Sequence, residues 1–483
     1  MPTIHSPGSG DGRKEGAALL RRLLDSPRTY FVLAGLLLVA AVASQFRLQI
    51  PSRPEGTLED LASLRTSKPN VLFILIDTLR ADRLSAYGYE RPTSPVMADL
   101  ARHGIRFARV EAQSSWTKTS MASLWTGLFP VRTGVLRSNH GIPDRAVLPA
   151  ELFKQAGYVT AGLWRNGWVG VDFGFHQGFD TYLRPPPDLT PESFQKRGPG
   201  TAQIGGTDEN ITSAALGFLE THGREPFFLY LHYMDVHQYS YDEEAARLGF
   251  GTSISDAYDA SIHWVDRNVA AVLTWLERND VFEKTLVVIA SDHGEGFSEH
   301  GTEGHARSLY QEVTRVPLIL ALPFRLEKGV VVEPLVRNVD VWPTVLDLVG
   351  LPPLPHSDGR SLVPLIEAAA RGEKDGAGDV AYAYLDRNWA KSEQPSGPIV
   401  SVVSENRRLV RTTVPQPKLE LFDHATDPTE QRNLVTERPE WVAELEPKLE
   451  AQLEQKPPWG KANEVQLDEL SQELLRALGY VVK

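Results

Sequence analysis

Two uninterrupted apolar runs, 71-VLFILID-77 and 285-TLVVIASDH-293, each end in acidic or imidazole side chains. Continuous runs of Val, Leu and Ile predict strands covered on both faces, as in a parallel sheet between helix layers. A third run, Pro226–Met234, has the same character. Between them the period changes to that of helices: Ser94–His103, opened by a capping serine and a proline, then Thr207–Glu220 and Asp256–Asn279. Further strands are predicted over Thr285–Ser291 and Val316–Ala321. This alternation predicts an α/β fold with a mostly parallel sheet.

Beyond residue 379 the pattern shifts to short alternating runs, AYAYLD, IVSVVSEN, RRLVRTTV and LELFDH, which suit a small antiparallel sheet. The end, 465-VQLDELSQELLRALGYV-481, has the apolar spacing of an amphipathic terminal helix. Residues 184–207 are rich in proline, glycine and polar residues and predict a surface excursion, and 367–379 predict a loop.

The N-terminal part reads differently. The uncharged run 30-YFVLAGLLLVAAVAS-44 follows a lead carrying Arg13, Lys14, Arg21, Arg22 and Arg28. The basic bias predicts a cytoplasmic segment over 1–28 and a single-pass anchor over 29–46. A linker over 47–68, a catalytic domain over 69–378 and a C-terminal subdomain over 379–483 follow, placing the catalytic domain outside the cytoplasm, periplasmic or extracellular. A cleaved signal peptide is the rival reading, since Ala41-Val42-Ala43 forms an A-x-A site; a buried core helix is the third.

Composition narrows the chemistry. The 483 residues carry a net charge of −12, which disfavours nucleic acid as a partner. There is no cysteine, so disulfides, thiolate metal sites and a cysteine nucleophile are excluded. In open α/β sheets ligands bind outside the carboxyl ends of the strands, where Asp77, Asp292 and His293 fall. Two carboxylates and an imidazole suit one divalent cation. The stretch 291-SDHGEGFSEHGTEGH-305 gathers Asp292, His293, Glu295, Glu299, His300, Glu303 and His305 among four glycines. It reads as a cation-binding loop, with a solvated loop as the bland alternative.

In 113-QSSWTKTSMASLWTGLFP-130, Ser114, Ser115 and Thr117 are capping types before a helical stretch. A hydroxyl there would sit where a helix start favours a phosphate or sulfate group, although a simply capped helix explains the pattern as well. His237 lies just past the third strand and could donate a proton to a leaving group. His232, inside that strand, reads as a satisfied core histidine.

Four stretches together resemble the sulfatase family of the alkaline-phosphatase-like superfamily: 69-PNVLFILIDTLRADRLSAYGY-89, 116-WTKTSMASLWTG-127, 291-SDHGEGFSEHG-301 continuing to 315-RVPLIL-320, and 419-LELFDHATDPTEQRNL-434. The resemblance implies an α/β/α sandwich, with Asp77, Asp292 and His293 on the metal and Thr117 at the nucleophile position beside it. It places His237 and His305 on substrate, His305 standing where many sulfatases have lysine, and it makes Asp340 structural. His300 joins the expected substrate-binding set.

The departures from the family pattern are chemical. Sulfatases convert a Cys or Ser within C/S-x-P-x-R to formylglycine; here the stretch is Thr117-Lys118-Thr119-Ser120-Met121. Threonine cannot yield that aldehyde by the same route, whereas a threonyl phosphate can be released by water or an alcohol. The related phosphoglycerol and phosphoethanolamine transferases carry threonine here. Thr78 replaces a usual second aspartate and His293 a usual asparagine, a set better matched to Mn, Zn or Mg than to Ca. Lys118 could take over the missing arginine's charge. The expectation is therefore a metal-dependent hydrolase or transferase of phosphate or sulfate esters, on a glycan or lipid head group, with phosphoesters favoured. True sulfate-ester hydrolysis and a non-catalytic glycan- or lipid-binding member are the alternatives.

Overall fold

The structure, a computed structural model, describes residues 53–186, 195–196, 206–373, 378–391, 393–466 and 472. The expected cytoplasmic lead and anchor, most of the 184–207 excursion and nearly all of the terminal helix lie outside these residues. Among the described residues no helix is long and apolar enough to cross a membrane.

The three apolar runs form adjacent central strands. β1 (Asn70–Ile76) is flanked by β6 (Thr285–Ala290) and β5 (Phe227–Tyr233), all parallel. Every residue of the three strands is buried, as expected for strands covered on both faces. The sheet continues through β3 (Val159–Leu163) to β4 (Thr181–Leu183) on one side. On the other lie β8 (Leu318–Ala321), β2 (Ile105–Glu111), β7 (Arg315–Val316) and β9 (Val330–Arg337). Only the 315–321 segment, β7 and β8, runs against the other strands.

Alternation divides the core between two faces. Val71, Phe73 and Leu75 pack on one side with Phe228, Tyr230 and Trp342; Leu72, Ile74 and Ile76 pack on the other with Leu229, Leu231 and Val265. Each such buried large side chain contributes about 1.5–3 kcal/mol relative to exposure. The first face is closed by α2 (Thr117–Thr126) and α5 (Val341–Leu348). The second is covered by α1 (Pro95–Arg102), α3 (Asp208–His222) and α4 (Ile254–Arg278).

The C-terminal alternating runs form a four-stranded antiparallel meander: β10 (Ala381–Asp386), β11 (Pro398–Ser404), β12 (Arg407–Thr412) and β13 (Lys418–Asp423). Helix α6 (Pro439–Leu453) packs its Leu445 and Leu449 against this sheet. Arg408, fully buried, ties the meander to the main sheet through Glu111 at 2.9 Å and also pairs with Glu430, within the C-terminal subdomain, at 2.7 Å.

Two segments differ from expectation. The described part of the expected linker, residues 53–68, is packed: Leu61–Ser67 is helical, Leu61 and Leu64 are buried, and Glu55–Gly56 pairs with Arg325–Leu326. The loop expected from 367 begins four residues late, because the helix Val363–Ala370 runs on through an alanine-rich stretch of good helix formers.

Candidate active site

The sheet register alone brings the chemical groups together. Leu75 lies opposite both Ala290 on β6 and His232 on β5, so Asp77 and Asp292 leave their strands at the same level. β3 is in register with β5 through Leu163 and Leu231, and three residues past Leu163 comes Asn166. Four parallel strand ends thus supply one edge, the location expected for a ligand site in such a sheet.

Each carboxylate is held by one oxygen and presents the other. Asp77 Oδ2 accepts from Asn166 Nδ2 at 2.5 Å and His232 Nε2 at 3.0 Å, while its buried Oδ1 has no hydrogen-bond partner. Asp292 Oδ1 accepts from the backbone N–H of Thr78 at 3.3 Å and His293 at 2.9 Å, while its buried Oδ2 has none. His293 donates from Nδ1 to the Gly294 carbonyl at 2.9 Å, which leaves the Nε2 lone pair free to ligate. That Nε2 is 3.3 Å from Asp292 Oδ2 and 3.9 Å from Asp77 Oδ1. Orphaned buried oxygens are costly unless a cation meets them. The three ligand atoms, all within 4.8 Å of one another, fit a divalent metal.

The electrostatics agree. Burial opposes charge on Asp77, but the His232 hydrogen bond and the His237, His232 and His293 imidazoles hold its carboxyl well below the usual range. Burial and the Asp77 charge push Asp292 up to about 7. Two buried carboxylates this close repel, and a cation between them removes that conflict.

The turn after β1 is strained to achieve this. Thr78, β-branched, adopts φ 59°. Its hydroxyl donates to the Asp77 carbonyl at 2.7 Å, and Tyr258 Oη donates to the Thr78 carbonyl at 2.8 Å. Glycine is required at 294 because a Cβ there would lie 2.2 Å from the Glu312 carbonyl oxygen.

Thr117 is the first residue of α2. The cap is Trp116, in extended conformation, so the expectation that Ser114 or Ser115 caps the helix is corrected. Ser115 Oγ instead donates to the Ser308 carbonyl at 2.6 Å, a partner on the glycine-rich loop side. Ser120 Oγ donates to the Asp292 carbonyl at 2.6 Å and pins the helix start to the end of β6. Thr117 Oγ1 consequently lies 3.1 Å from His293 Nε2 and 3.3 Å from Asn166 Nδ2. The structure thus brings Thr117, Asp77, Asp292 and His293 together.

His305 and His237 complete one wall. The His305 ring centroid is 4.6 Å from that of His293 and 4.8 Å from that of His237. Glu295, buried, lies 3.2 Å from His305 Nδ1 and orients that ring. Burial pushes His237 below its ordinary range and His305 down to about 4. Behind His237, the buried Arg165 joins Asp208 at 2.8 Å and Asp235 at 2.5 Å and fixes the short turn that carries the imidazole.

Two expected site residues lie elsewhere. Lys118 Nζ donates to the Ser138 carbonyl at 2.6 Å and sits 3.7 Å from the Phe173 ring centroid. One position past Thr117, the helix turns its side chain into this aromatic pocket, so it does not supply the missing arginine's charge; burial pushes its ammonium well below the lysine range. His300 bonds Glu312 at 2.8 Å and the Glu430 carbonyl at 2.9 Å and stacks on Tyr310. It braces the loop against the C-terminal subdomain instead of binding substrate. Asp340 is structural, with both oxygens taken by Arg337 at 2.7 and 2.9 Å.

Sequence reasoning missed Asn166, which no acidic or histidine pattern marks. It also read His232 as core: it is buried and satisfied, but its partner is Asp77.

With this geometry in view, family comparison is decisive. The sequence profile of the family described as Sulfatase matches residues 69–351, more than half of the chain. The chain belongs to the sulfatase family. A second profile, N-sulphoglucosamine sulphohydrolase, C-terminal, matches residues 298–457. Arylsulfatase A of Homo sapiens is 30% identical over 353 residues, covering 62% of this chain and 68% of that protein. Arylsulfatase of Hemicentrotus pulcherrimus is 26% identical, covering 63% of each chain, so this sequence spans under two thirds of that relative. Among solved structures, phosphonate monoester hydrolase of Agrobacterium radiobacter superposes with a TM-score of 0.63 at 20% identity, covering 80% of this chain and 95% of that one. A protein solved with its substrate D-glucosamine-2-N,6-O-disulfate gives 0.62 at 21% identity, covering 79% and 97%. Both share the α/β sandwich of this sulfatase-family chain.

Proposed function

We propose that this protein is a metal-dependent hydrolase of phosphate-type esters in which Thr117 is the nucleophile. The observation that carries the reading is the convergence of two unpartnered buried carboxylate oxygens and an imidazole nitrogen beside the Thr117 hydroxyl. Asp77, Asp292 and His293 would hold the ion, with the Thr117 hydroxyl as an adjoining ligand; their oxygen and nitrogen donors favour Mn, Zn or Mg over Ca. When bound, a divalent cation supplies Lewis-acid chemistry, lowering a hydroxyl pKa and polarising an ester oxygen.

The chain's own groups account for the rest. Asn166 aims the Thr117 oxygen, which releases its proton to solvent and attacks phosphorus as the bond to the alcohol breaks. His237, whose imidazolium form the negative charge of the bound ester would stabilise against burial, gives its proton to the departing alkoxide. His305, oriented by Glu295, binds an equatorial oxygen. Water then attacks phosphorus of the threonyl ester, giving one proton back to His237 and leaving its hydroxyl on the phosphate, and the departing Thr117 oxygen takes up a proton from solvent.

Phosphoester chemistry is preferred because an ordinary threonyl sulfate lacks the aldehyde-forming exit of formylglycine. Sulfate esters are the second reading, favoured by the sulfatase names of the relatives, and a glycan or lipid head group is the substrate class to try. The basic lead and apolar run of residues 13–44 favour an enzyme anchored in a membrane and working outside the cytoplasm. The test is turnover of nitrophenyl sulfate, phosphate monoester and phosphate diester with added Mn²⁺, Mg²⁺, Zn²⁺ or Ca²⁺. Phosphate-ester turnover that depends on the metal supports the reading; turnover of the sulfate alone overturns it.

A further inference from the structure

His232 and Tyr230 occupy the same face of β5, two residues apart, and point toward the carboxyl edge of the sheet beneath Asp77. Tyr230 Oη is 2.6 Å from His232 Nδ1, and His232 Nε2 is 3.0 Å from Asp77 Oδ2. All three side chains are fully buried. The Tyr230 ring is clamped by Trp125 at 5.0 Å and Phe73 at 5.8 Å, so the phenol has little freedom to leave this arrangement.

We propose that Tyr230 and His232 form a positioning relay that orients Asp77 for metal binding. The inference rests on the metal reading above and assigns it two further residues. With Asp77 ionised and His232 neutral, the proton directions follow. Ionised Asp77 can only accept, so His232 donates from Nε2. A neutral imidazole then has its lone pair on Nδ1, and the Tyr230 hydroxyl donates to it. Burial raises the Tyr230 phenol well above its usual range, which keeps that proton in place. The result is that Asp77 Oδ2 is engaged and Oδ1 alone faces the ligand cluster. Asn166 secures the same oxygen from a neighbouring strand end. Without the relay the carboxylate could rotate about its last bond, and one donor oxygen would be lost from the metal for part of the time.

Such outer hydrogen bonds typically tune metal affinity by 10–100-fold. The arrangement is also economical in sequence. Residues i and i+2 of a strand share a face, so a tyrosine two places before a histidine suffices to build it.

The experiment is calorimetric titration of the metal-free full-length chain with Mn²⁺ alone, comparing wild type, Asp292→Asn, His232→Leu, His232→Gln and Tyr230→Phe, each checked for its melting temperature. The relay predicts that His232→Leu raises the Mn²⁺ Kd roughly 10–100-fold. Tyr230→Phe, which removes one oxygen atom, should raise it several-fold. His232→Gln, whose amide can reach Asp77 from a similar position, should restore most of the affinity. Wild-type affinity in both His232→Leu and Tyr230→Phe would overturn the relay while leaving the metal site intact. Absence of Mn²⁺ binding by wild type, repeated with Zn²⁺ and Mg²⁺, or binding unchanged in Asp292→Asn, would overturn the metal reading and the relay together.

Discussion

The Asn166 amide nitrogen bridges Asp77 Oδ2 at 2.5 Å and Thr117 Oγ1 at 3.3 Å. Its carbonyl oxygen accepts from the Trp168 N–H at 2.9 Å, which fixes which end of the amide faces the site. One side chain therefore aligns a proposed metal ligand with the proposed nucleophile.

That link has a measurable consequence. Asn166→Leu should lower kcat about 100-fold, the scale seen when one preorganised polar contact is lost at a reacting oxygen. KM should change far less, because the amide holds groups of the protein rather than the substrate body. Steady-state kinetics check this, and a kcat within threefold of wild type would remove Asn166 from the account.

Lys118 supplies a contrasting case. Its ammonium is committed to the Ser138 carbonyl and the Phe173 face, away from the reacting groups. Lys118→Met, which fills the same aromatic pocket without a buried cation, should retain kcat within about threefold. A buried lone charge replaced by an apolar side chain is often neutral or stabilising. A loss of 100-fold or more in kcat without a fall in melting temperature would place the lysine on the substrate.

The region around His300 should make stability depend on pH. Burial opposes its charge, but the hydrogen bonds to Glu312 and the Glu430 carbonyl outweigh it and hold the imidazolium up to about 9. The folded value is raised above the ordinary histidine value of about 6.5. The contribution to stability is therefore full below about 6.5 and is lost as pH rises through about 9. Melting temperatures of wild type and His300→Gln, measured from pH 6 to 9.5, should differ most at the acid end and converge at the alkaline end. A gap that is constant across this range would contradict the assignment.

The central strands and the clustering of Asp77 with Asp292 were legible in the sequence because buried parallel strands are uniformly apolar, and Asp77 and Asp292 interrupt that pattern at strand ends. The C-terminal meander was legible through a different signal, the apolar–polar alternation of its short runs. His300 was misread because a loop of charged residues does not reveal which side chains turn toward a neighbouring subdomain. Tertiary partners decide that, and Glu312 and Glu430 lie 12 and 130 residues away. Lys118 was misread because successive residues of a helix point about 100° apart, so the side chain one position past Thr117 turns away from it, toward Ser138 and Phe173. Asn166 carried no local signal at all; only the register of β3 against β5 brings it to Asp77.

The central claim is that Thr117 becomes covalently modified during turnover. The direct measurement is rapid acid quenching of the full-length enzyme with Mn²⁺ and a nitrophenyl phosphate ester, followed by peptide mass spectrometry. The account predicts a phosphoryl group on Thr117, absent in Thr117→Ala, which should also lose turnover. Turnover that persists in Thr117→Ala with no adduct on the wild-type threonine would contradict it.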